Sequence, residues 1–133
     1  MMTDPIKLEL LISSEPELVL KNVLEAISGK PYEKPLDMKA VRDFVGFVKY
    51  CAGPKSMTAG LGQEATDKCV LTQAIHAIAA NKLLTKNEVE KRIGEIGLDG
   101  LAKEVGKAIE KTERMVKERE ASEILKIFES KSI

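Results

Sequence analysis

Residues 69–81 read CVLTQAIHAIAAN, thirteen positions without a charge in a chain of 133 residues that is 32% charged. Val70, Leu71, Ala74, Ile75, Ala77 and Ile78 recur at helical spacing. The chain's one histidine, His76, falls on the other side of the same pattern. A helix with no charge on any face is usually surrounded by other helices. The stretch is therefore read as the centre of the fold, in a helix of about residues 64–81.

Outward from this segment the pattern stays helical. Asp4 and Pro5 open a first helix through Ile12, although the alternation Ile6-Lys7-Leu8-Glu9-Leu10 also fits a strand. Ser14 and Glu17 have the spacing of a capping box, and Val19, Leu20, Val23, Leu24, Ala26 and Ile27 form one face of the helix that follows. Gly29 and Pro31 end it. Asp37 caps a helix with a wide apolar face from Ala40 to Cys51, which Gly53-Pro54 stops. Thr85 and Glu88 form a second capping box; Gly94 and Gly97 mark a turn, and Asp99 caps the last helix. Leu101, Val105, Ala108, Ile109, Thr112, Met115 and Val116 give that helix a clean stripe. The stripe fails at Arg119, Glu120 and Glu123 and resumes in another direction at Ile124, Leu125, Ile127 and Phe128. A kink or break near 117–121 is the expected consequence. The fold predicted for residues 1–133 is a single all-α domain, a bundle of five to six helices.

Composition narrows the function. Lys+Arg and Asp+Glu both number 21, and the balance holds in each half, with 8 basic and 9 acidic groups in residues 1–66. No basic block points to a phosphate backbone or an anionic membrane surface. No apolar run reaches the roughly 18 residues of a membrane span, and residues 1–4 lack the basic start of a signal peptide. A cytoplasmic protein is expected. Cys51 and Cys69, each in an apolar helical pattern, are expected to be buried free thiols of a reducing compartment, with a disulfide as the alternative.

Chemistry finds little support. His76 shares a side of its helix with Cys69, Thr72 and Gln73. Cys69 lies seven residues away, about 10.5 Å along the axis at 1.5 Å per residue, too far to share a metal easily. No second histidine exists, and no nucleophile–base pair is legible in the spacing. The four residues read as a polar seam needing hydrogen-bond partners. No catalytic residue, metal or cofactor is expected. The loop 53–62 follows a helix and lacks the Gly-Lys-Ser/Thr ending of a phosphate-binding loop.

Three readings of function follow. The first is a non-enzymatic helical domain that acts through protein–protein contacts and self-associates as a homodimer through Ile124, Leu125, Ile127 and Phe128, a cluster that on sequence alone equally suits folding back onto its own bundle. The second is a helix-turn-helix-like DNA-binding module over 85–105. There, one lysine and no Arg, Asn or Gln at the start of the second helix leave little to read a base edge, so nucleic acid is not the expected partner. The third is a small enzyme or ligand-binding bundle around His76.

Overall fold

The computed structural model describes residues 5–131. Five α-helices follow in order: α1 (Pro5–Ser14), α2 (Pro16–Ser28), α3 (Met38–Val48), α4 (Gln63–Asn81) and α5 (Lys86–Lys131). A 3₁₀ turn, Lys49–Cys51, extends α3. Among the described residues there is no strand, so the first segment is a helix, and the all-α bundle is the fold. The Asp4 cap falls outside the described residues.

Local chemistry explains most boundaries. Pro16 opens α2, where its missing N–H leaves no donor unpaired. Gly29 closes the helix in the left-handed region, φ 76°, returning its amide to the Glu25 carbonyl. The Asp37 side chain accepts from the amide of Lys39. The Thr85–Glu88 box closes in both directions: Glu88 N–H donates to Thr85 Oγ1 at 3.1 Å, and Thr85 N–H donates to Glu88 Oε1.

Two expected signals act differently. Ser14 makes no capping box. It is still inside α1, where its hydroxyl donates back to the Leu11 carbonyl, and Glu15 takes the non-helical junction without a side-chain cap. Gly94 does not turn the chain but sits within a helix; the break is Gly97 alone, at φ 74° and ψ 166°, a region that only glycine enters cheaply. Nor does the backbone break near 117–121. The helix runs through these residues to Lys131, and what changes there is the side that carries its apolar residues.

Among the described residues, twenty-two buried aliphatic and aromatic residues plus Cys51 make up the core, which is organised in pairs of helices. α2 packs along α5, burying Val19, Leu20, Val23, Leu24 and Ile27 alongside Leu101, Val105 and Ile109. α3 packs along α4, burying Ala40, Val41, Phe44 and Val48 alongside Val70, Ala74 and Ala77. α4 also packs on α5, which joins the two pairs. Where α4 meets α5, Gly106 has no side chain because the buried Asp67 carboxylate occupies the space: a Cβ on Gly106 would lie 2.5 Å from Asp67 Oδ2.

Cys51 and Cys69 are joined in a disulfide, with Cα atoms 5.8 Å apart. The free-thiol expectation is corrected here. Spacing along the chain gave no reason to pair them, since each belongs to its own helical pattern. The packing of α3 on α4 brings the 3₁₀ turn onto the first half of α4, and that approach is tertiary.

Candidate functional site

α4 fulfils only half of what its composition suggested. One face is sealed by α3 and α5, with Thr66, Asp67, Val70, Leu71, Ala74, Ala77 and Ile78 buried. The other is open: Thr72, His76, Ala79 and Ala80 are exposed and Gln73 is half-buried. The polar seam therefore borders solvent. Thr72 satisfies itself by donating to the Lys68 carbonyl at 2.9 Å. Cys69 is committed to its disulfide. His76 lies edge-on to the Phe47 ring, with centroids 6.5 Å apart and planes at 87°. The four residues do not converge on a cavity. Among the described residues, no group of three His, Cys, Asp or Glu side chains is placed to hold a metal ion.

The stretch 85–105 is likewise plain in its geometry. Two helical runs are separated by Gly97 alone, without the turn of three or four residues that a helix-turn-helix needs. At the start of the second run Asp99 pairs with Lys68, and Lys107 pairs with Glu104, both on the surface.

The end of α5 is different. Val116 is its last half-buried residue, and residues 117–130 are exposed throughout. At 1.5 Å per residue, about 21 Å of helix extends past the bundle. Arg119 marks the exit, pairing with Glu15 at the α1–α2 junction. The arginine side chain is half in water, so the pair orients the helix more than it stabilises it. Beyond it Ile124 is 54% exposed, Leu125 60%, Ile127 54% and Phe128 69%.

Helical geometry explains why they stay exposed. With 3.6 residues per turn, Ile124, Leu125 and Phe128 lie about 120–160° around the axis from the buried Thr112. An unbroken helix that seats Thr112 in the core must turn these side chains away from it. Ala121, Ile124, Leu125 and Phe128 then form one continuous strip, since residues three and four apart are surface neighbours. All four residues of the cluster named from sequence therefore share the projecting segment, and Ile127 widens the strip on one side.

One further apolar surface escaped the sequence reading. A groove of about 540 Å³ opens where the end of α4 meets the start of α5, lined by Ile75, Ile78, Ala79, Leu84 and Val89. Lys82, Lys86 and Glu90 stand at its edge. Ile78 belongs to the buried face of α4 and Ile75 is half-buried beside it, so the groove exposes the margin of the core between α4 and α5. A second cleft, of about 640 Å³, lies between α2 and the 31–36 segment, but charged groups dominate it: Glu15, Glu17, Lys21, Glu25 and Arg119. Glu25 is already engaged there by the amide of Tyr32 at 2.9 Å.

No described helix is long and apolar enough to cross a membrane. Comparison with family models, curated proteins and solved structures found no match to this chain.

Proposed function

We propose that this protein is a helical interaction domain without a catalytic site of its own, and that it self-associates through the projecting end of α5. The observation that carries the reading is the strip Ile124, Leu125, Phe128 on a helix that has left its own core. Four large apolar side chains kept in water on one short segment are costly unless another surface covers them, at roughly 25 cal/mol per Å² of apolar area. A zero formal net charge opposes self-association little. Long terminal helices that outrun their core suit two-fold dimers, in which the same patch serves both copies.

No observation favours the DNA-binding reading or a bundle chemistry around His76. The expected cytoplasmic location loses its support from free thiols, because Cys51 and Cys69 are paired. Disulfides persist in oxidising compartments, and inside cells chiefly in the proteins of hyperthermophiles.

Size-exclusion chromatography with light scattering tests the proposal, on the full chain and on a chain ending at Lys117. A dimer that becomes monomeric on truncation supports it. A monomer in both cases overturns self-association.

A further inference from the structure

We propose that the partner of the projecting helix end is the groove of a second copy, and that two copies exchange helix ends reciprocally. This rests on the reading that the chain self-associates; it adds where each end docks.

Several apolar side chains are uncovered in the described structure, Ile6 and Leu10 of α1 among them, and two of the uncovered surfaces have shapes opposite in sense. One is a ridge, the strip Ala121, Ile124, Leu125, Phe128. The other is a groove, lined by Ile75, Ala79, Leu84 and Val89. The exposed Ala79 leaves room on its floor for a larger side chain, which the strip supplies in Phe128. Charge is mixed on both surfaces: Glu118 and Glu120 flank the strip beside Lys117, and Lys82 and Lys86 stand with Glu90 at the groove's edge. Lys86 meets Glu90 at 3.7 Å, but both side chains are largely in water, so an incoming carboxylate competes on equal terms. Opposite charge around an apolar centre sets register and excludes other partners more than it adds affinity.

A single chain cannot join the two surfaces. The groove lies on the near side of the Gly97 break, and from Gly97 to Ile124 α5 runs as uninterrupted helix. At 1.5 Å per residue that is about 40 Å. Ridge and groove thus sit toward opposite ends of α5, with the Gly97 break and this helical span between them. A second copy laid antiparallel brings each ridge to the other's groove, and the two-fold relation makes the junction twice. One helix end against one groove is small for a stable complex, and the two-fold relation doubles it.

The test uses two full-length variants, Leu84→Cys and Phe128→Cys, tagged to differ in mass and mixed under mild oxidation. The native cysteines are already paired with each other. The expected result is a linked species holding one of each variant, with Phe128→Cys alone giving none. If Phe128→Cys links to itself instead, the helix ends pair with one another: self-association stands and the reciprocal docking falls. Assemblies larger than two by light scattering overturn the reciprocity, and a monomer overturns both proposals. Ala79→Arg serves as an independent check at an exposed position. It should weaken dimerisation at least tenfold while helical content stays unchanged; an undisturbed dimer contradicts the groove.

Discussion

Asn22 of α2 donates its side-chain amide to Thr112 Oγ1 of α5 at 2.8 Å, 90 residues away in sequence and inside the core. Thr112 Oγ1 donates its own hydrogen bond to the Ala108 carbonyl at 2.8 Å, which leaves its oxygen lone pairs to accept from Asn22. Met115 Sδ lies 3.7 Å from the same amide. A polar pair of this kind contributes little net stability when complete and is expensive when halved. It also fixes the register of the helix pair that aims α5 outward.

Removing one partner therefore tests the pair. Thr112→Val should destabilise by about 1–3 kcal/mol, because the Asn22 amide stays buried without its acceptor. Asn22→Leu combined with Thr112→Val should recover much of that loss. Denaturant unfolding of both singles and the double variant gives the coupling; simple additivity would show that the bond is incidental.

The disulfide should be a staple. Closing 18 residues of sequence separation corresponds to about 3 kcal/mol in the chain-entropy account. For a chain of this size, reduction should lower the melting temperature by about 10 °C. Thermal unfolding with and without a reductant measures it, and equal midpoints would mean that packing alone holds the 3₁₀ turn on α4.

Two glycines within α5 should respond oppositely to the same change. Replacing an exposed helical glycine by alanine usually stabilises by about 0.5–1 kcal/mol. Gly94 is such a position: nothing lies within 4 Å of an added Cβ. At Gly106 the added atom meets the Asp67 carboxylate, with three of its atoms within 2.8 Å. Gly106→Ala should therefore destabilise despite the gain in propensity. Melting temperatures moving the same way in both variants would contradict the packing described.

Acid should loosen two specific ties. The Thr85 amide and then its hydroxyl hold the Glu88 carboxyl below its ordinary value of 4.5. Lys39 and then Asn81 hold Asp43 below 3.8. Each group is more acidic folded than unfolded, so its contribution is complete above the ordinary value and disappears as pH falls through the depressed one. Stability should fall below about pH 4.5, first from Glu88 and then from Asp43. Glu88→Gln should flatten the upper part of that fall in melts taken between pH 3 and pH 7. An unchanged profile would remove Glu88 from the account.

Much of this molecule is local and could be read from neighbours in sequence. Asp37 caps α3, Thr85 and Glu88 cap each other, and Gly29 turns the chain, because each effect acts within four residues. The apolar stripes of α2 and α5 follow from helical periodicity, as does the change of side at Ile124. Other features depend on which helix packs where. Ser14 lost its cap because α1 extended through it. Cys51 and Cys69 paired because α3 lies along α4. Asn22, an ordinary polar residue by sequence, became a core residue because Thr112 came to meet it. The charge-free segment shows the division best. Its composition determined that residues 69–81 form a helix that tolerates burial anywhere on its surface. Only the arrangement of α3 and α5 decided which face was buried, because hydrophobic burial is non-directional and the choice of face is made by the neighbours.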